Sequence, residues 1–294
     1  MQITVYEVGP RDGLQNEEAL ISTAHKIELI TKLTQAGIRH IEATSLVHPK
    51  WIPQLSDATE VLAGVPRFDD VHYSVLTPNL KGLQRIAANQ VDEVAIFMSA
   101  SEAHNLKNIN KTRADTYLVL AEVAQEAQRM GLRVRGYIST VFGCPYDGEV
   151  SLTESMRVVE RLLAMGVYQL SIGDTIGVAT PRQVHEVFAA FEKEWGATWF
   201  AGHFHDTRGT GLANVVAALH HGISTFDSSI GGLGGCPYAP GAAGNISTED
   251  VVYLLHGMGY ETGIQLEKLV EAGQFIQRIV GRELPSKVLK TAAG

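Results

Sequence analysis

Two hydrophobic periods alternate along this chain. Short apolar runs recur, and each is followed by a stretch whose apolar residues return at helical spacing, as at Ile27, Ile30 and Leu33 or at Val158, Leu162 and Met165. The helical stretches close on glycine just before the next run. Gly37 precedes Arg39–Ala43, Gly131 precedes Arg133–Tyr137, and Gly166 precedes Tyr168–Ile172. Gly196 precedes Trp199–His203, and Gly222 precedes Thr225–Asp227. Glycine past a helix end is the left-handed cap. The last four of these glycines lie roughly 26 to 35 residues apart, the length of one strand–helix unit of a parallel sheet. With Val71–Val75, Glu93–Phe97 and the opening strand around Ile3–Val8, eight strands result. An α/β fold is predicted: one (β/α)8 TIM barrel domain over about 1–262, with a short C-terminal helical extension over about 263–294. The competing doubly wound sheet lacks its dinucleotide fingerprint here.

The pattern breaks once. Residues 231–245 hold six glycines and two prolines in fifteen positions, a composition that predicts neither a packed helix nor a packed strand. Cys236 sits in the middle of this stretch, Asn245 closes it, and Ser247-Thr248-Glu249-Asp250 opens a helix behind it. Such a loop is expected to cover a site.

Polar residues collect where the strands end, the face on which barrels of this kind carry their chemistry. Strand 1 runs into Arg11, Asp12 and Gln15, and strand 2 ends at Glu42 and Ser45. Strand 6 supplies Ser171, Asp174 and Thr175, strand 7 supplies His203 and His205, and strand 8 ends at Asp227. His203 and His205 stand two apart, so a strand points both imidazoles into the lumen. With a carboxylate from Asp12 they form part of a metal site suited to Mg2+ or Mn2+, with Zn2+ or Co2+ as competitors; the alternative is a pair of hydrogen-bonded core histidines. Arg11 between Asp12 and Glu42 reads either as a structural ion pair or as a fixed cation that stabilises an oxyanion, Glu42 holding it in place. Cys236 reads as nucleophile or proton donor, and Cys144 as structural. Gln15, Ser45, Ser171, Asp174 and Thr175 are candidate substrate contacts.

Composition narrows the classes. The chain is 45% hydrophobic and 19% charged, with a net charge of −8 and no basic stripe, which argues against nucleic acid. No apolar run reaches the ~20 residues of a membrane span. Two cysteines make no disulfide framework, and no signal or transit pattern opens the sequence. A cytoplasmic protein is expected.

These motifs resemble those of the 3-hydroxy-3-methylglutaryl-CoA lyase family. The resemblance is carried by Ser229 to Gly241 around Cys236, by Glu7-Val8-Gly9-Pro10-Arg11-Asp12-Gly13-Leu14-Gln15-Asn16-Glu17, and by Glu42-Ala43-Thr44-Ser45, Ser171-Ile172-Gly173-Asp174-Thr175 and His203-Phe204-His205-Asp206. It runs in register over nearly the whole chain. It implies a divalent-metal barrel lyase that splits 3-hydroxy-3-methylglutaryl-CoA into acetyl-CoA and acetoacetate, usually in leucine breakdown. Asp12, His203, His205 and Asn245 would ligate the metal. Arg11 would polarise the thioester carbonyl with Glu42 in support, Asp12 or His203 would accept a proton, and Cys236 would deliver one. The substrate's phosphates need cations, for which Lys50, Lys107, Lys111 and Arg135 stand near loop ends, Arg135 being the one expected to face the site. A homodimer is expected. The chain lacks the additional C-terminal cysteine of animal members, so thiol-switched dimer chemistry is not expected. Isopropylmalate-synthase-type enzymes, 4-hydroxy-2-oxoacid aldolases, a paralogue acting on longer branched substrates, and an inactive barrel are the rival readings.

Overall fold

The computed structural model describes residues 1–87, 90–236 and 239–292, with the backbone alone at 236 and 239–243. Eight parallel strands close on themselves in sequence order: β1 (Thr4–Glu7), β2 (His40–Ser45), β3 (His72–Leu76), β4 (Glu93–Ser99), β5 (Arg133–Ser139), β6 (Gln169–Gly173), β7 (Phe200–His203) and β8 (Thr225–Ser228). β8 returns to β1 in the register Val5 with Phe226 and Tyr6 with Asp227.

The crossover helices are α1 (Thr23–Gln35), α2 (Ala58–Gly64), α3 (Leu80–Leu83), α4 (Glu102–Ile109) with α5 (Arg113–Arg129), α6 (Leu152–Leu163), α7 (Pro181–Trp195) and α8 (Gly211–Leu219). The longer ones bury an apolar stripe on the barrel wall; in α6 it includes Val158, Val159 and Leu162. Most starts are set by side-chain oxygens that accept otherwise unpaired N–H groups, α2 and α8 being the exceptions. Ser151 caps α6, and Thr180 with Gln183 makes a full capping box on α7. The glycines read as helix stops take positive φ, +79° at Gly131 and +80° at Gly166. Gly37 adds a close approach, since a Cβ there would lie 2.4 Å from the carbonyl oxygen of Gly263.

After the barrel come α9 (Thr248–Gly257), capped by Ser247 as its sequence suggested, then α10 (Leu266–Val280) and α11 (Lys287–Thr291). α10 packs beside α1, where Gln265 donates its N–H to the Ala36 carbonyl. The glycine-rich stretch differs from its expectation. It contains a two-stranded antiparallel ribbon of β9 (Gly235–Cys236) and β10 (Ala239–Ala243), whose backbone pairing needs no bulky side chains. None of the described helices is long and apolar enough to cross a membrane.

Candidate active site

At the C-terminal end of the strands lies a cavity of about 870 Å3, lined by Arg11, Asp12, Gln15, Ser45, Ser171, Thr175, His203 and His205 among others. β1 feeds it through a single wide turn, in which the N–H groups of Arg11, Asp12 and Gly13 all point at the Val8 carbonyl. The turn is tight: a Cβ on Gly13 would come within 2.6 Å of Ser229 Oγ. It thrusts Arg11 and Asp12, neighbours in sequence, into the lumen together.

Arg11 is 6% exposed, and its Nε donates to Glu42 Oε1 at 2.6 Å while Nη2 reaches Oε2 at 3.2 Å. Nη1 donates to Asp12, and the Tyr137 hydroxyl donates to Glu42 from the far side. Burial disfavours the guanidinium, but Asp12 and Glu42 overcome it and hold its pKa above the ordinary value. Glu42 and Ser45 are three apart on β2 and would face opposite ways on a regular strand. A register shift against β3 between Glu42 and Thr44 lets both point inward.

Asp12, His203 and His205 each offer one ligand atom within 4.8 Å of the others. His203 Nε2 stands 4.0 Å from Asp12 Oδ2, and the two imidazole centroids are 5.4 Å apart. Gln15 donates to Asp12 Oδ1 at 3.0 Å and Asn245 Nδ2 donates to Oδ2 at 2.8 Å. Asn245 is carried there by its backbone bridge with His205, so the two ends of the expected ligand set are stitched together. It turns its amide nitrogen to Asp12; ligation would require the oxygen to be presented instead. Burial raises the Asp12 carboxyl, but the Arg11 cation, His203 and the Asn245 amide outweigh it and bring it down to about 2. Burial and the adjacent His203 push His205 down to about 4, leaving it neutral at pH 7. His203 is shifted the other way, because the Asp227 carboxylate outweighs the cost of burying its cation. An ionised carboxylate beside a neutral imidazole is a donor set for a hard divalent cation. His205 Nδ1 is buried with no hydrogen-bond partner, a condition that buried nitrogens rarely tolerate and that a bound ion at this cluster would help explain.

Two expected substrate contacts lie elsewhere. Arg135 is fully buried beneath the cavity floor, where it pairs with Asp227 at 2.7 Å and stacks 4.1 Å over the Tyr6 ring. It faces the lumen but one layer too deep to meet a phosphate. Asp174 is also buried and folds back to accept the N–H groups of Val178 and Ala179 at 2.9 and 3.1 Å, shaping the turn after β6. Thr175 does line the cavity and accepts the N–H of Thr140 at 2.7 Å. That contact helps hold Thr140 at φ +64°, an uncommon conformation for a β-branched residue. Of the three lysines, Lys111 alone is on the cavity wall. The side chain of Cys236 lies outside the described residues; Gly235, just before it, lines the cavity. Cys144 is buried, donating to Ser101 Oγ at 3.0 Å and accepting from two backbone N–H groups. The sequence places Tyr137 and Asp227 toward the ends of strands 5 and 8 but assigns neither a role. Their only signal was an even spacing from inward residues on the same strand.

The chain matches known proteins over nearly its full length. Residues 2–276 fit the HMGL-like family model. A hydroxymethylglutaryl-CoA lyase of Bacillus subtilis is 50% identical over 289 residues, spanning 98% of this chain and 97% of that protein. The mitochondrial hydroxymethylglutaryl-CoA lyase of Bos taurus is 49% identical over 287 residues, spanning 98% and 88%. Among solved structures, the Bacillus subtilis HMG-CoA lyase superposes with a TM-score of 0.97 at 49% identity, over 100% of this chain and 98% of that one. An Acinetobacter baumannii HMG-CoA lyase in complex with coenzyme A and 3-methylmalate superposes with a TM-score of 0.93 at 40% identity, over 98% and 94%. With its barrel, its strand-end carboxylate and imidazoles and its full-length similarity in agreement, this chain belongs to the HMGL-like family, that of the hydroxymethylglutaryl-CoA lyases.

Proposed function

We infer that this enzyme cleaves 3-hydroxy-3-methylglutaryl-CoA to acetyl-CoA and acetoacetate. The observation that carries this reading is the convergence of Asp12, His203 and His205 beside the Arg11–Glu42 pair in one cavity. A divalent cation, Mg2+ or Mn2+, held by Asp12, His203 and His205 with Asn245 beside them, would acidify and orient the substrate's tertiary C3 hydroxyl. Asp12 is the acceptor of that proton, since its carboxylate has a second oxygen beyond the one given to the cation, whereas His203 spends its one lone pair on the cation. As the C2–C3 bond breaks, its electron pair passes to the thioester as an enolate, and C3 becomes the ketone of acetoacetate. Arg11, kept cationic by its carboxylates, stabilises the enolate oxygen. Cys236 then donates its proton to C2 to release acetyl-CoA, while the glycine-rich stretch excludes water.

Gln15, Ser45, Ser171 and Thr175 contact the acyl part, and Lys111 is the cavity's cation toward the CoA phosphates. The chain works as one catalytic domain, a barrel to about residue 262 with its helical tail, in a cytoplasmic homodimer. Incubation with 3-hydroxy-3-methylglutaryl-CoA, with and without Mg2+, tests the reading. Acetoacetate forms only with the cation; no acetoacetate under either condition refutes it.

A further inference from the structure

His203 and His205 enter the cluster as chemically similar ligands, but the protein treats them differently from behind. Asp227, at the end of β8, is 1% exposed and sits under His203. Its Oδ2 lies 3.1 Å from His203 Nδ1 and accepts Ser171 Oγ at 2.5 Å. Its Oδ1 accepts Arg135 Nη2 at 2.7 Å, and Nη1 reaches Oδ2 at 3.4 Å. Arg135 is fixed in turn by its bond to Gln169 at 3.1 Å and by the Tyr6 ring. The carboxylate therefore cannot swing away from the imidazole, and as an acceptor it requires a proton on Nδ1. The lone pair of a neutral ring then falls on Nε2, the atom that faces Asp12. His205 has no comparable anchor, since its Nδ1 is buried without a partner.

We propose that Asp227, clamped by Arg135 and Ser171, is a positioning residue that fixes His203 as its Nδ1–H tautomer and so makes Nε2 the atom His203 offers to a divalent cation. The pairing of a ligand imidazole with a carboxylate also raises the ring's donor strength. Arg135, placed too deep for substrate phosphates, has this as its role: it holds the carboxylate that holds the ligand. The assignment rests on the metal-dependent reading above.

Two measurements test it. In Mg2+-loaded wild-type protein with 15N-labelled histidine, long-range 1H–15N spectra should show Nδ1 of His203 protonated and Nε2 unprotonated, the signals being identified by their loss in His203→Gln. In Asp227→Asn the carboxamide keeps its oxygen on Arg135 and turns its NH2 to the ring, which drives the ring proton to Nε2. Affinity for Mn2+, read from free-ion EPR, should then fall by roughly 10–100-fold. Asp57→Asn neutralises a part-buried carboxylate that pairs with Lys26 of α1 at 2.6 Å, away from the cluster and from its Arg135 clamp, and should leave Mn2+ affinity within about twofold. A folded Asp227→Asn protein that binds Mn2+ as wild type does would overturn the proposal. So would an Nε2–H tautomer at His203 in wild-type protein, a measurement that decides even if the variant does not fold. Neither readout uses the CoA substrate, so failure of the lyase assay would refute the function and leave this assignment to stand or fall alone.

Discussion

Arg11→Met tests whether one guanidinium serves both the fold and the proposed reaction. Arg11 and Glu42 form a buried pair with side-chain exposures of 8% and 0%. Without the cation, Glu42 keeps only the Tyr137 hydroxyl, while Asp12 keeps Gln15 and Asn245. Breaking one side of such a pair costs roughly 3–5 kcal/mol. At roughly 2–4 °C per kcal/mol, Tm should fall by about 10 °C. Turnover should fall independently, by about 10²–10³-fold, the usual loss when a preorganised oxyanion donor is removed. Adding Glu42→Gln removes the stranded charge and leaves an amide oxygen for Tyr137. The double variant should regain most of the lost Tm and none of the lost turnover. Calorimetry gives the first quantity, and acetoacetate release at saturating substrate, with the folded fraction checked by circular dichroism, gives the second. Recovery of activity together with stability would show that Arg11 serves the fold alone. An unchanged Tm in the single variant would show that Glu42 does not depend on it.

Cys236→Ser should abolish turnover and leave Mn2+ affinity intact, whereas His205→Ala should lose Mn2+ affinity; wild-type turnover in the first or wild-type stoichiometry in the second contradicts the roles assigned. Glu7 and Glu249 are buried carboxyls at the root of the glycine-rich stretch, accepting the N–H groups of Ile230 and Gly231, and burial pushes them up to about 7 and about 8. A folded-state pKa above the unfolded value means the native protein holds the extra proton, so this contribution is complete below about pH 4.5 and is lost as pH rises toward 8. Glu249→Gln should therefore gain Tm relative to wild type steadily between pH 5 and 8; a pH-independent difference refutes the sign. Gly231→Ala places a side chain at φ +64° and 2.3 Å from Leu284 Cδ1, and should cost roughly 1–3 kcal/mol in denaturant unfolding. Wild-type stability there would mean that the loop root is not packed as described.

Much of the barrel was legible because its signals are local. A glycine after an apolar helical stripe, a short β-branched run and a serine before an acidic turn each act within a few residues of themselves, so the eight strands and the α9 cap read directly from the chain. The cluster of Asp12, His203 and His205 was legible for a related reason, since strand parity fixes which residues share a face and the strand ends of a barrel converge. The ribbon inside the glycine-rich stretch was not, because β9 and β10 are held by backbone pairing that composition does not report.

Depth within the lumen belonged to the tertiary structure. Tyr137 and Arg135 both face inward from β5, yet two residues of strand rise put them about 6–7 Å apart along the barrel, one touching Glu42 and the other beneath the floor on Asp227. Asp174 and Asp227 look equivalent at their strand ends, and only the packed barrel turns one back onto its own loop and sets the other behind the His203 imidazole. The sequence by itself determined which residues face inward, through periodicities that each strand carries alone. Which inward residues meet, and at what level, was decided by the stagger of eight strands around a closed barrel, a relation that exists only once the first strand has paired with the last.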